Sequence, residues 1–292
     1  MKNISIENII THWQTIREVM LEKWAVFAGN KFVQSLRLDK PLTILIMMWP
    51  ALWGFFYASG SFLNFLKLII LMIVLRVVCF LYDDITTPEV EVTGDRRQMN
   101  KPSILLLIGA VIFGGVVASQ IYPGVLFLVL TWIVLIAIYP YLFKIIWWPQ
   151  IYGGVIFGLW PALIGITSAG DISFSSILIC FAAFFWMISL ETLKAGEYKS
   201  VDMANSLKSV ALWMGNKSIS FVVSCFILTF VFLIFSGIAA HSGGVYYGFL
   251  MAAQWMLMKN YHGYAEKEIS QNTSADTVWV SLLVALGLLF GV

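Results

Sequence analysis

From about residue 43 onward, long apolar runs alternate with short polar breaks. Nine runs approach the ~20 mostly apolar residues that a bilayer-crossing helix requires. They lie near 43–60, 65–82, 103–119, 123–142, 151–168, 173–190, 218–238, 244–258 and 276–292. Several contain Gly or Pro, which membrane helices tolerate. The pattern predicts an all-α, polytopic membrane protein with nine transmembrane helices. The connectors near 61–64, 120–122, 169–172 and 239–243 are short and hold no Lys or Arg. Those near 83–102, 143–150, 191–217 and 259–275 are longer and basic, as is the segment before the first run. Because Lys and Arg collect in cytoplasmic loops, the N-terminus and every basic connector are expected in the cytoplasm. Nine crossings then leave the C-terminus outside.

Ahead of the first run, Ile9, Trp13, Ile16, Met20, Trp24 and Phe27 recur every three or four residues, the spacing of one helix face. The opposite face mixes Glu7, Glu18 and Glu22 with Arg17 and Lys23. This segment is expected to lie in the membrane interface, with docking of a partner protein as the alternative. The first 40 residues lack the central apolar run of a cleavable signal, so insertion is expected to rely on the first membrane helix. Two regions result: an interfacial segment at 1–36 and a transmembrane domain at 37–292.

Composition agrees with lipid as the solvent. The chain is 60% hydrophobic and 12% charged, with a mean hydropathy of +0.86, against about 25% charged residues in soluble domains. A net charge of +2 supplies no basic field for nucleic acid. Cys79, Cys180 and Cys225 all sit within apolar runs and read as small buried hydrophobes. His12, His241 and His262 are too scattered in sequence to suggest a metal site.

Two basic connectors also carry acids. In the first, Asp83, Asp84, Glu89, Glu91 and Asp95 are followed by Arg96, Arg97 and Lys101, and Arg76 lies seven residues before Asp83. That spacing puts Arg76 and Asp83 on one helix face. An Arg within a span faces the bundle interior or a wet cavity, and an ion pair that merely fixes packing is one reading of the two. In the second connector, Glu191, Lys194, Tyr198 and Asp202 recur at spacings of three and four. Paired acidic clusters at cytoplasmic helix ends suit a diphosphate: carboxylates hold Mg²⁺, the ion bridges the phosphates, and Lys or Arg neutralises the rest. Their place at helix ends rather than mid-bilayer argues against a transporter.

With these residues in place, the sequence resembles the UbiA superfamily of intramembrane prenyltransferases, most closely its 4-hydroxybenzoate polyprenyltransferase branch. Arg37-Leu-Asp-Lys-Pro41 with Trp49-Pro50 and Trp53 looks like the family's opening signature. Tyr139-Pro140 through Trp148-Pro149-Gln150 resembles its Tyr-Pro…Pro-Gln stretch, and Lys208-Ser209 with Gly215 resembles the segment after its second acidic motif. Against the family's Asn-Asp-x-x-Asp-x-x-x-Asp, Asp83 and Asp84 stand at the opening pair, Thr87 at the second Asp and Glu91 at the third. In the second region Glu191-Thr192 stands at the Asp-Thr pair, Tyr198 at the first later Asp and Asp202 at the last. Phe143-Lys144 replaces a Lys-Arg pair.

The resemblance implies a UbiA-like bundle with cytoplasmic active-site loops, in a bacterial inner membrane. It implies Mg²⁺ as cofactor, with a polyprenyl diphosphate and a small aromatic acid as substrates. Asp83, Asp84 and Asp202 are the expected catalytic residues, with Glu91 and Glu191 completing the metal set. Arg96, Lys144, Lys194 and Lys199 are expected on the diphosphate, and Arg37 and Arg76 near the acceptor's carboxylate. Thr87 and Tyr198 remove charge from the motifs, so a non-catalytic lipid-binding protein or membrane subunit of the same fold is the alternative.

Overall fold

The structure, a computed structural model, describes residues 23, 25–30, 33–34, 36, 38, 41–86, 101–170, 172–265 and 272–292. It divides into two compact units, Met1–Pro41 and Leu42–Val292. In the first, a helical turn at 25–28 is closed by the Gly29 N–H on the Ala25 carbonyl (2.9 Å), and the Gln34 side-chain amide donates to the Ala28 carbonyl (2.9 Å). Of the expected amphipathic face, Phe27 is described and exposed. Ile9, Trp13, Ile16, Met20 and Trp24 lie outside the described residues.

The described residues of the second unit form helices joined by turns and short connectors. The helices are α1 (Pro41–Tyr57), α2 (Phe62–Thr86), α3 (Lys101–Ser119), α4 (Pro123–Ile145), α5 (Pro149–Ala169, with a π-helical stretch at Val155–Leu159), α6 (Phe174–Glu197), α7 (Lys199–Ala204), α8 (Val210–Met214), α9 (Ser218–Ala239), α10 (Gly244–Ala265) and α11 (Asn272–Gly291). Each of the nine apolar runs falls on one long helix, α1–α6 and α9–α11. Among the described residues, five segments are long and apolar enough to cross a membrane: α2, α4, α5, α6 and Val210–Ala239. Thr43–Tyr57, Ser103–Ser119 and Asp276–Gly291 are shorter apolar stretches. The chain is an integral membrane protein. Large apolar side chains such as Leu105, Ile112, Phe127, Phe235 and Met251 are exposed on the bundle surface, where hydrocarbon rather than water satisfies them.

Local chemistry sets the helix ends. Pro123 begins α4, where its missing N–H costs nothing. Ser173 and Ser176 form a reciprocal capping box on α6. The Ser209 hydroxyl oxygen accepts from the Leu212 N–H and starts α8. Gly170, at φ 93°, ends α5 in the left-handed region.

With no hydrophobic drive between helices in lipid, close packing and interhelical hydrogen bonds hold the bundle. Gly54 and Gly165 let α1 and α5 approach until a Cβ at either would overlap the facing backbone at Ala162 or Ala51. Trp53 donates to the Ser281 carbonyl (3.0 Å), joining α1 to α11. Trp132 donates to the Ile156 carbonyl (2.7 Å) inside the π-helical stretch, joining α4 to α5. In α4, Pro140 removes an N–H and loosens the ladder around it. Nearby, Tyr152 donates to the Leu135 carbonyl and Tyr82 to the Ala137 carbonyl (each 2.9 Å). These bonds tie α5 and α2 to α4.

Candidate active site

A cavity of about 410 Å³ opens among α1, α2, α4, α5, α6 and α11. One helix face of α2 supplies Arg76, Cys79, Phe80 and Asp83, and one face of α6 supplies Met187, Leu190, Glu191, Lys194, Glu197 and Tyr198. Ile136, Tyr139 and Pro140 enter from α4. Phe157 enters from α5, where the wider π turn re-aims side chains relative to a regular helix. Tyr82 from α2, Leu193 from α6, Thr43, Ile46 and Met47 from α1 and Thr277 from α11 complete the wall. Both α2 and α6 run past their apolar stretches, so Asp83 and Glu191 stand on helix rather than in loops. The last turns of these helices carry partial negative charge. That charge adds to Asp83 and Glu197 and draws cations, Lys194 among them.

The guanidinium of Arg76 lies 3.8 Å from the Phe80 ring centre. Its Nε is buried with no hydrogen-bond partner, and its charge acts on Glu191 and Asp83. Tyr139 donates to Oε2 of Glu191 at 3.3 Å. The cavity therefore joins the carboxylates of Asp83, Glu191 and Glu197, an Arg, a Lys and the Tyr139 hydroxyl to an apolar lining of Ile136, Met47, Phe157 and Met187.

Among the sequence-predicted residues, Asp83, Glu191, Lys194 and Arg76 come together here. Asp84 follows Asp83 on α2 about 100° around the helix and does not line the cavity. Lys144 is exposed in the last turn of α4, also outside the lining. The single face expected from 191 to 202 divides at Tyr198, which ends α6 with φ −101° and ψ 13°. Beyond it, Lys199 donates to the Gly215 carbonyl (3.2 Å) and the Ser218 hydroxyl (3.4 Å). Asp202 shares a hydrogen bond with the Ser209 hydroxyl. Burial pushes the Asp202 carboxyl above its ordinary value, and the Ser209 bond partly offsets this. Arg37, Glu91 and Arg96 lie outside the described residues, as does Thr87.

Gln150 of the Pro-Gln stretch accepts from the buried Val210 N–H (2.9 Å), and Lys208 donates to the Ile145 carbonyl (2.9 Å). These motif residues fasten the α4–α5 corner to α8. Sequence reasoning gave no role to Tyr139, Thr43 or Thr277. Only the Tyr-Pro signature drew notice to the first.

Among the described residues no three acidic, His or Cys side chains are grouped to hold a metal by themselves. Mg²⁺ on a diphosphate needs less: it keeps several waters and takes one or two protein carboxylates besides the phosphate oxygens. Asp83 and Glu191, hard oxygen donors on one cavity, fit an ion that arrives with its phosphates.

The bundle is similar in fold to solved UbiA homologs. A UbiA homolog from Aeropyrum pernix K1 matches with a TM-score of 0.73 at 13% identity, covering 83% of this chain and 96% of that one. A homolog from Archaeoglobus fulgidus bound to DMAPP and Mg²⁺ matches at 0.63 and 16% identity, covering 89% and 99%. The pattern of the UbiA prenyltransferase family matches residues 47–283, and the chain belongs to that family. Its relatives include proteins named 4-hydroxybenzoate octaprenyltransferase. That of Aromatoleum aromaticum is 25% identical over 79% of this chain and 82% of its own length. That of Thiobacillus denitrificans is 29% identical over 74% and 78%.

Proposed function

We propose that this chain moves a polyprenyl group from a polyprenyl diphosphate to a small aromatic acid such as 4-hydroxybenzoate, in quinone biosynthesis at a bacterial inner membrane. The observation that carries the reading is the convergence of Asp83, Glu191, Lys194 and Arg76 on one apolar-walled cavity. The names of the relatives support the acceptor class, and the Archaeoglobus homolog's ligands support a prenyl diphosphate with Mg²⁺. Nine crossings with a cytoplasmic N-terminus, as the basic connectors imply, put the cavity mouth on the cytoplasmic side.

In this reading Asp83 and Glu191 hold Mg²⁺, with Asp84, Glu91 and Asp202 as outer members of the set. When bound, the ion supplies charge stabilisation to the leaving diphosphate. Lys194 neutralises phosphate oxygens as the allylic C–O bond breaks and its electron pair leaves with the diphosphate. Lys144, Lys199 and Arg96 extend this basic rim. The apolar wall keeps water from the allylic cation. A ring carbon of the acceptor supplies the pair for the new bond and then loses its proton. Arg76, with its free Nε, faces the acceptor's carboxylate, and Arg37 is the second candidate for that contact.

Purified protein in lipid nanodiscs, given Mg²⁺, geranyl diphosphate and 4-hydroxybenzoate, is expected to release diphosphate and form a prenylated acid. Asp83→Asn or Glu191→Gln is expected to lower turnover by about a hundredfold or more, since such charge stabilisation is worth several kcal/mol. Substitutions without effect on turnover would remove the site.

Thr87 and Tyr198, which stand without charge where the family has Asp, favour a second reading, a non-catalytic UbiA-fold lipid-binding protein or membrane subunit. No turnover by the native chain, with turnover created by Thr87→Asp plus Tyr198→Asp, would select it.

A further inference from the structure

We infer that Tyr139 is a positioning residue that holds Glu191 in place for Mg²⁺-diphosphate. This rests on the reading of the cavity as a diphosphate site.

The hydroxyl of Tyr139 donates to Oε2 of Glu191 at 3.3 Å. The ring that carries it has little freedom. It stacks on Tyr152 (centroids 6.1 Å apart, 15° between planes) and meets the edges of Phe143 at 5.1 Å and Phe157 at 5.5 Å. Tyr152 is itself tied to the Leu135 carbonyl, so the aromatic cluster aims one hydroxyl from α4 at one carboxylate on α6. A third helix makes room for both. A Cβ at Gly153 on α5 would lie 3.1 Å from the Tyr139 hydroxyl and 3.4 Å from Cγ of Glu191. Any side chain there would press on the pair.

A glutamate has one more rotatable bond than an aspartate, and a ligand that swings freely must be ordered each time the ion binds. A hydrogen bond from a fixed donor removes that freedom beforehand. One carboxylate oxygen is engaged by Tyr139, and the other is left for the ion. This is how the longer arm of Glu191 serves where the family has Asp. An Asp at 191 would withdraw the carboxylate by about one C–C bond, roughly 1.5 Å, and break the contact.

The test measures binding of radiolabelled geranyl diphosphate to the full chain in nanodiscs as Mg²⁺ is titrated. Tyr139→Phe keeps the ring packing and removes the hydroxyl. It is expected to raise the half-saturating Mg²⁺ concentration about tenfold, the scale of a lost hydrogen bond to a charged group. Residual binding without Mg²⁺ and the melting temperature should stay unchanged. In a Glu191→Gln background, Tyr139→Phe should add nothing further. If Tyr139→Phe lowers the melting temperature, Glu191→Asp makes the same comparison from the acid's side. A native Mg²⁺ dependence in the hydroxyl-deleted chain, additive effects in the double variant, or Mg²⁺-independent binding by the unsubstituted chain would overturn the inference. Mg²⁺-dependent binding without prenylated product would instead overturn the transfer reaction, and the binding comparison would still decide the role of Tyr139.

Discussion

Arg76 shows how much a single position decides. Its guanidinium lies on an aromatic face beside Glu191 and Asp83, yet its buried Nε–H still lacks an acceptor, and an unsatisfied buried donor costs about 1–3 kcal/mol. Arg76→Met is expected to raise KM for the aromatic acid about tenfold while leaving geranyl diphosphate binding nearly unchanged, as read by separate titrations of the two substrates. Equal loss of both would place Arg76 on the diphosphate instead. Asp202 gives a prediction in pH. Its carboxyl is raised by burial, so the folded state holds the proton more tightly than the unfolded chain. Its stabilising contribution is present below the ordinary aspartate value and is lost as pH rises through the raised one. Asp202→Asn, which still accepts from Ser209, should flatten this dependence. The melting temperature of the variant relative to the native chain should rise between pH 4 and pH 7, and an unchanging difference would contradict the assignment.

At the scale of elements, the site depends on three local departures from a regular helix. Pro140 loosens α4, the π turn at Val155–Leu159 turns Phe157 into the cavity, and Tyr198 ends α6 before Asp202. The Tyr139–Glu191 pair then needs α4, α5 and α6 at a fixed separation. Small residues set similar separations elsewhere in the bundle. Gly165→Ala would drive a methyl group into the Ala51 backbone and is expected to cost about 1–3 kcal/mol, the range for overpacking. A clear fall in melting temperature in detergent should report it. Gly109→Ala, where a Cβ meets nothing within 4 Å, is the control and should not melt earlier. The positions of the helices were legible in the apolar runs. The π turn was not, since Val-Ile-Phe-Gly-Leu reads equally well as ordinary helix.

For the whole molecule, the topology implied by the basic connectors can be tested through accessible cysteines. Cys79, Cys180 and Cys225 are buried and should label poorly. Gln120→Cys and Met203→Cys stand at exposed positions, in a connector without Lys or Arg and in a basic one. In intact cells an impermeant maleimide should label position 120 alone, with position 203 reacting only after the membrane is opened. Labelling of both from outside would overturn the alternation of crossings. On that expected topology, Asp83, Glu191 and Lys194 would stand at the cytoplasmic face, within reach of aqueous Mg²⁺.

Hydrophobic periodicity by itself determined that the chain is helical, that it lives in lipid, and roughly where each long helix begins and ends, because these depend on local composition and on the thickness of a bilayer. It also marked Arg76, Asp83, Glu191 and Lys194, whose charge in apolar surroundings needs a cavity or a partner wherever the helices pack. Which acids share that cavity was decided only in three dimensions. A helix turns 100° per residue, and the way α2 is rotated in the bundle leaves Asp83 on the cavity and Asp84 off it. Tyr139 and Glu191, 52 positions apart, meet only because α4, α5 and α6 pack closely enough, with a bare glycine between, for one hydroxyl to reach one carboxylate.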